Sequence, residues 1–288
     1  MRHYTRPTID REVNPYTPEP ARIVRKYDLT DDVRFFQIRF RDMDRALSFN
    51  YKPGQFMMFS IAGVGEAPFS ISSTPSRPGL LEFCIRRVGK VTNALFSLKE
   101  NDIIGIRGPY GNGFPVEKME GRDLIIVVGG LGAAPLRSLL LYALDNRDHF
   151  GKLYFLYGAK SPKDMLFREE FLALRDRDDL ECLLSVDKDE EGNWPCYTGV
   201  VTTLFDHIKD IDPENTVATV CGPPVMYKYV IDELLKLDIP KHQIFMTLER
   251  RMKCGIGKCG NCAIGYVYTC IEGPVFTYWD VIHMKELI

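Results

Sequence analysis

Between residues 21 and 115, apolar positions fall in short runs rich in β-branched and aromatic side chains, each closed by a Gly, Pro, Asn or Asp cluster. ARIVRKYDLT, VRFFQIRF, QFMMFSIAG, LEFCIRRV and DIIGIRGPYG each read as a strand followed by a turn. Short strands at this spacing predict a small barrel or sandwich. One helix is predicted inside it, TNALFSLKE (92–100), with Thr92 as its N-cap.

After Gly121 the pattern changes. DLIIVVGG is a continuous β-branched run, as a strand buried on both faces requires, and APLRSLLLYALDN carries apolar residues at helical spacing. Strand-like KLYFLYGA, LECLLSVD, TVATVCGPP and QIFMTLE then alternate with helical REEFLALRD, VVTTLFDHI and MYKYVIDELLKLDI. Alternation of this kind predicts a parallel sheet with crossover helices. The expected architecture is therefore a β-barrel domain, an α/β doubly wound parallel-sheet domain and a small C-terminal lobe. The expected bounds are an N-terminal arm over 1–20, the barrel over 21–118, the α/β domain over 119–248 and the lobe over 249–288.

The chain has 288 residues, enough for two buried cores, and a formal net charge of −2. That balance excludes a non-specific nucleic-acid binder, which needs a large excess of Lys and Arg. No apolar run reaches the roughly 18 to 20 residues that would cross a bilayer. LIIVVGGLGAAPL is broken by three glycines and a proline, and the polar, proline-rich first 20 residues carry no apolar core of a secretory signal. A cytoplasmic protein without membrane insertion is the expectation.

Four of the eight cysteines lie close to the C-terminus, in the order Cys254-x4-Cys259-x2-Cys262-x7-Cys270. The first three follow the C-x4-C-x2-C spacing of plant-type [2Fe–2S] sites, and a later cysteine completes the set. Glycines at 255, 257 and 260 allow a tight loop whose amides point at the sulfurs. Structural zinc is the alternative, but zinc sites usually pair two short knuckles across a longer spacer, and only one C-x2-C is present. Cys84 and Cys182 sit in apolar strand-like runs and read as core residues.

Two turns in the α/β region suit phosphate or nucleotide. VVGGLGAAP (127–135) ends a strand and opens a helix, where free amides and the helix dipole favour an anion. It lacks the G-x-G-x-x-G fingerprint, and a tight turn without a ligand is its bland reading. VCGPP (220–224) also ends a strand, and loops at the carboxyl ends of parallel strands converge on one crevice. In the barrel, GEAPFSISSTP (65–75) offers serines around an aromatic ring, VGKVTNAL (88–95) opens a helix at Gly89, and GPYGNGF (108–114) is a glycine-rich turn.

In this order, PFSISS, GKVT, GPYGNGF, GGLGAAP and CGPP resemble the ferredoxin–NADP reductase superfamily. The closing LERRMKCGIGKCGNC resembles the FAD and [2Fe–2S] electron-transfer subunits of that superfamily. These include the gamma subunits of cytoplasmic hydrogenases and sulfhydrogenases, and the flavin-containing electron-transfer subunits of anaerobic sulfite reductase and dihydroorotate dehydrogenase. The resemblance covers about residues 20–280. It implies FAD on the barrel and NAD(H) or NADP(H) on the α/β domain. It further implies that Pro68, Phe69, Ser70, Ile71 and Ser72 lie along the flavin, with Ser70 near its N5 position, and that Gly89, Lys90, Val91 and Thr92 hold the pyrophosphate. Gly130, Gly132 and Pro135 would hold the nicotinamide nucleotide's phosphates, and Cys221, Gly222 and Pro223 its nicotinamide side. Ser70 and Cys221 are the expected catalytic residues, and Cys254, Cys259, Cys262 and Cys270 the expected iron ligands.

One departure stands out. The superfamily's flavin motif carries an arginine where this chain has Ala67, and Phe69 replaces a tyrosine. Arg86 or Arg87 on the neighbouring strand, or the helix start at Thr92, is expected to compensate. The implied function is an oxidoreductase subunit that takes hydride from NAD(P)H onto FAD and passes single electrons through the cluster to or from a partner redox subunit, with a hydrogenase favoured. Sulfite reductase, a heterodisulfide-reductase-like complex and dihydroorotate dehydrogenase are the alternatives within the class. A zinc-containing nucleotide-sensing module without redox activity is the alternative outside it. After KLYFLYGA, Lys160, Ser161 and Lys163 suit a 2′-phosphate and Asp164 a 2′-hydroxyl; the reading leans to NAD(H).

Overall fold

A computed structural model describes residues 14–284. Residues 1–13 of the expected arm and 285–288 of the expected lobe lie outside the described residues. The first domain is an antiparallel six-stranded sheet formed by β1 (Glu19–Asp28), β2 (Val33–Phe40), β3 (Phe56–Ile61), β4 (Gly65–Ser70), β5 (Leu81–Arg86) and β6 (Ile103–Tyr110), in the order β4-β3-β6-β1-β2-β5. Alternate residues of these strands, among them Ile23, Phe36, Ile38, Phe59 and Phe83, point inward and form one core. The amide of Ser72, just past β4, donates to the Glu82 carbonyl on β5 at 2.8 Å and draws the two outer strands together. The barrel has one strand more than the pattern predicts. Gly-Glu-Ala-Pro at the start of β4 has little β-propensity, and pairing with β3 imposes the extended form.

Two short helices accompany the barrel. α1 (Met43–Ser48) is not visible in the pattern; the Asp42 carboxylate caps it by accepting the Arg45 amide at 3.0 Å. α2 (Lys90–Ser97) begins two residues before the predicted start, and its N-cap is Gly89. Thr92 therefore sits inside the first turn. Its hydroxyl accepts the amides of Val88 and Gly89, both at 2.9 Å, and donates to the Gly89 carbonyl at 3.0 Å. It holds the chain entering the helix instead of capping it.

The second domain alternates β7 (Asp123–Gly129), α3 (Ala133–Asp145), β8 (Leu153–Ala159), α4 (Arg168–Leu174), β9 (Glu181–Val186), β10 (Tyr197–Thr198), β11 (Thr216–Cys221), α5 (Pro224–Lys236) and β12 (Ile244–Thr247). Along β7, Leu124, Ile126 and Val128 enter a core with α3 and α4, while Ile125 and Val127 enter a second core with α5. Both faces are thus covered, which is why the run is continuously apolar. The predicted helix VVTTLFDHI is instead a 3₁₀ segment over Val201–His207. Four consecutive β-branched residues at its start disfavour the α-helix.

The chain then leaves the sheet, forms the two-stranded hairpin β13 (Ala263–Ile264) and β14 (Val267–Tyr268), and returns as β15 (Val275–Thr277) and α6 (Tyr278–Val281). β15 pairs antiparallel with β12, with Thr247 opposite Val275. The full sheet order is β10-β9-β8-β7-β11-β12-β15. Among the described residues no helix is long and apolar enough to cross a membrane.

Three contacts lock the parts together. The α3–α4 core extends into the barrel through Val33, Phe35, Cys84 and Phe114. Arg137 on α3 reaches Glu82 on β5 at 2.7 Å. Arg107 on β6, buried to 4% exposure, holds Glu66 on β4 at 2.6 Å and the Cys254 carbonyl at 2.7 Å. Arg107→Met leaves Glu66 without its cation in a crowded site. The expected loss is about 2 kcal/mol, below the usual value for a fully buried pair because Glu66 keeps some water. It would be read as a lower urea midpoint with an unchanged slope.

Candidate functional site

The first half of the site is a groove on the barrel. Pro68, Phe69 and Ser70 are half-exposed at the end of β4, and Phe69 is braced edge-on by Phe59 at 5.1 Å. The Ser70 hydroxyl has no protein partner among the described residues. Ile71 and Ser72 follow as fully buried residues. Ile71 faces the barrel core, and the Ser72 hydroxyl donates to the Cys84 sulfur at 3.7 Å, so only the backbone of these two residues borders the groove. α2 begins beside β4, with Val91 next to Gly65. The amides of Lys90, Val91 and Thr92 have no acceptor among the described residues, and Gly89 leaves open space before them. A diphosphate fits this helix start. Ala67 of β4 pairs with Phe59 of β3, and Arg86 lies 3.1 Å from Asp32 with its side chain 44% exposed. Arg87 is turned to Asn93 at 2.9 Å.

The second half lies at the carboxyl ends of β7 and β11. The chain runs outward from β7 in one direction through β8 and β9 and in the other through β11 and β12, so these two ends flank a topological switch point. Gly129 to Gly132 form the turn into α3. A Cβ on Gly132 would lie 2.1 Å from the Cys221 carbonyl oxygen, so the two loops meet backbone to backbone there. The Tyr157 hydroxyl donates to the Gly130 carbonyl at 3.1 Å and supports the turn from below. Pro135 is buried in α3, while Gly222 and Pro223 stand more open at the start of α5. The Cys221 thiol is buried, and desolvation pushes its pKa up to about 12, so it is a neutral group at every physiological pH.

The C-terminal lobe brings the four thiols together as two pairs. Cys262 and Cys270 are buried with their sulfurs 3.3 Å apart, packed on Phe56 and Met58 of the barrel. Cys254 and exposed Cys259 face each other, and hydrogen bonds from Asn261, then Cys254, pull the Cys259 thiol down to about 6. The amide of Gly257 donates to the Cys270 sulfur at 3.1 Å and that of Lys258 to the Cys254 sulfur at 3.3 Å. Gly255, Gly257 and Gly260 all have φ between 71° and 75°, a conformation that side-chain-bearing residues rarely adopt. Among the described residues no three His, Cys, Asp or Glu groups converge on a single ion. Two thiol pairs with amides aimed at sulfur fit a two-iron cluster better than one zinc ion.

Sequence reasoning assigned no role to Glu249, Glu66 or Arg107. Glu249 lies in the cleft between the two halves, open to solvent yet closely walled. The crowding raises its pKa, and nearby Arg86 partly offsets that. Its charge also acts on Cys221. Glu66 and Arg107 join the groove strand β4 to the loop at Cys254.

Comparison with known proteins divides the chain in the same order. Residues 20–114 match the oxidoreductase FAD-binding domain, and residues 126–232 match the oxidoreductase NAD-binding domain. Residues 249–282 match the iron–sulfur cluster binding domain of dihydroorotate dehydrogenase B. Sulfhydrogenase 2 subunit gamma of Pyrococcus furiosus is 46% identical, over 96% of this chain and 100% of the relative. Sulfhydrogenase 1 subunit gamma of the same organism is 44% identical, over 96% of each. A probable dihydroorotate dehydrogenase B electron transfer subunit of Methanocaldococcus jannaschii is 34% identical, over 79% of this chain and 80% of the relative. Among solved structures, the NADH-dependent reduced ferredoxin-NADP oxidoreductase superposes with a TM-score of 0.72 at 25% identity. That match covers 95% of this chain and 92% of the other.

Burial pushes the thiols of Cys84, Cys182 and Cys221 from 9.0 up to about 12. These raised values stabilise the fold fully below about pH 9. The contribution is then lost as pH rises toward 12, because the unfolded thiols ionise first. The expected result is a urea midpoint insensitive to these thiols at neutral pH and falling steadily above pH 9. Iodoacetamide at pH 8 should leave all three unmodified in the native protein, as read by mass spectrometry.

Proposed function

The chain belongs to the ferredoxin–NADP reductase superfamily, in the branch of electron-transfer subunits with a C-terminal iron–sulfur domain, and from that premise we propose that it links NAD(P)H to a partner redox subunit of hydrogenase type. The observation that carries the reading is the arrangement of three sites on one chain: the open helix start beside β4, the paired turns at β7 and β11, and the two thiol pairs packed on the barrel. Bound FAD would supply the exchange between a two-electron donor and one-electron acceptors, the chemistry that the cofactor brings and the protein does not. The protein's residues bind and orient. The amides at Lys90 to Thr92 hold the flavin's diphosphate, the half-exposed face of Pro68 to Ser70 takes the ring, and the free Ser70 hydroxyl is the hydrogen-bonding group at its reactive edge. The turn at Gly130 and Gly132 takes the nucleotide's phosphates. Cys221 and Gly222 would border the nicotinamide, and the neutral thiol would add no charge there.

Cys254, Cys259, Cys262 and Cys270 ligate a [2Fe–2S] cluster in this reading. The buried pair, Cys262 and Cys270, faces the barrel and so marks the inner side. Exposed Cys259 marks the outer side, next to Lys258, which lies 5.4 Å over the Tyr16 ring; the hairpin that follows carries Tyr266, 85% exposed, at its tip. That edge is the exit to a partner subunit in a cytoplasmic multisubunit complex. The reading is tested by an anaerobic titration of the purified protein with NADH and NADPH. Joint loss of flavin and iron–sulfur absorbance, with four thiols protected from alkylation, is the expected outcome; a colourless, zinc-containing protein would overturn it.

A cavity of about 700 Å³ beyond β8 and β9 bears on the choice of nucleotide. Five acids line it, and four are engaged within the protein: Asp164 with Ser161 at 2.5 Å, Asp189 with the Trp194 amide at 2.8 Å, Glu169 with Arg168 at 3.1 Å and Glu191 with the Asn193 side-chain amide at 3.1 Å; Glu190 has no partner among the described residues. Lys160, Lys163 and Lys188 line the same cavity and have no acidic partner among the described residues. These lysines are the groups placed to meet a 2′-phosphate, but the five acids outnumber the four cations of the lining, so the cavity carries no positive excess and the lean to NAD(H) is kept. Lys160→Ala combined with Lys163→Ala should raise KM for NADPH about tenfold, the scale of a lost charged hydrogen bond, while KM for NADH changes little.

A further inference from the structure

Arg137 lies on α3, the helix that the Gly132 turn opens, and it is 8% exposed. Its guanidinium spans the boundary between the two domains. On the barrel side, Nη1 donates to Glu82 on β5 at 2.7 Å and to the Ser72 carbonyl at 3.1 Å. On its own side, Nε and Nη2 donate to the Glu170 carboxylate of α4, each at 2.9 Å. The plane rests 4.3 Å from the ring centre of Phe167. Phe167 is itself held at φ 53°, a left-handed conformation that costs a bulky residue energy, and its ring meets Phe35 of the barrel at 6.1 Å. Glu82 is fixed in turn by Gln37 at 3.1 Å.

The position of this network is informative. Ser72 lies two residues past the end of β4, the strand that carries Pro68 to Ser70, and Arg137 lies in the first half of α3, the helix that the nucleotide turn opens. An apolar interface resists separation but not small sliding, because its energy depends little on direction. A planar fork with three engaged nitrogens resists sliding, because each hydrogen bond has a preferred line. Hydride transfer requires its two reacting atoms about 3 to 3.5 Å apart, and a displacement of about 1 Å costs on the order of a hundredfold in rate.

We propose that Arg137 is a positioning residue for hydride transfer, which sets the register of the nucleotide-binding helix against the flavin-binding strand through Glu82, Ser72 and Glu170. The proposal rests on the NAD(P)H-to-flavin reading above. In the step itself, the nicotinamide loses a hydride from C4 and becomes oxidised, and the flavin gains that hydride at N5. Arg137 exchanges no proton or electron.

The test is anaerobic stopped-flow reduction of the flavin-loaded protein over a range of NAD(P)H concentrations, in wild type, Arg137→Lys and Glu82→Gln. Lysine keeps the charge and loses the fork; glutamine keeps the shape of Glu82 and loses its charge. Both variants should lower the limiting rate at saturating nucleotide by at least about tenfold while the nucleotide Kd changes by less than about threefold. The long-wavelength charge-transfer absorbance of the stacked nicotinamide–flavin pair should weaken in parallel. A lowered Tm with an unchanged limiting rate would assign Arg137 a structural role only and overturn the proposal, as would an effect confined to Kd. If Arg137→Lys fails to retain flavin, Glu82→Gln decides alone. Failure of wild type to show nucleotide-dependent flavin reduction would sink the underlying reading and is distinguishable from either result.

Discussion

A buried guanidinium must be fully paired, because leaving one hydrogen-bonding group unmet in a dry site costs more than the pair itself contributes. Arg107 meets that demand with two groups from distant segments, the Glu66 carboxylate of the groove strand and the carbonyl of Cys254, and with the Tyr110 hydroxyl of its own strand. Tyr110 passes the connection on to the Pro15 carbonyl at 3.0 Å. The groove strand, the cysteine loop and the lead-in before β1 are therefore fixed relative to one another by a single charge. The loop that carries Cys254 has almost no regular secondary structure of its own, so its shape depends on this anchor and on the apolar seat formed by Phe56 and Met58.

The two halves of the crevice use different physics. The barrel side offers a helix start and a half-exposed strand, both open to water and rich in unsatisfied backbone donors. The α/β side is tight: the Gly132 turn lies against the Cys221 carbonyl with no room for a side chain. Cys221 is neutral through burial, and Glu249 is drawn toward its neutral form by the walls of the cleft while Arg86 opposes that drift. A crevice of this kind suits transfer of a hydride, which carries charge through the gap and needs no acid or base of its own.

Much of this was legible along the chain because it is written locally. Short β-rich runs closed by turn residues marked most of the barrel strands, and the continuous run at 124–128 marked a sheet covered on both faces. The C-x4-C-x2-C spacing and the glycines within it mark the thiol loop without any knowledge of the rest. What escaped is held by distant partners. β4 is a strand only because β3 lies beside it, and Thr92 serves as an anchor because Gly89 takes the cap. Arg107 and Arg137 are ordinary basic residues in sequence; their partners lie as many as 147 and 65 positions away. The segment at 201–207 failed for another reason: its apolar spacing suits a helix, but its β-branched side chains crowd the α-helical turn and a tighter coil forms.

The return of β15 to the sheet has a consequence for how such chains are assembled. Thr247 and Val275 sit opposite each other on adjacent strands, so everything from 248 to 274 leaves and re-enters the domain through one narrow doorway. Neighbouring strands lie about 4.8 Å apart, a gap that a two-residue turn can close. The thiol lobe is thus a cassette spliced into a hairpin. A gene could gain or shed it without disturbing the order of any strand around it.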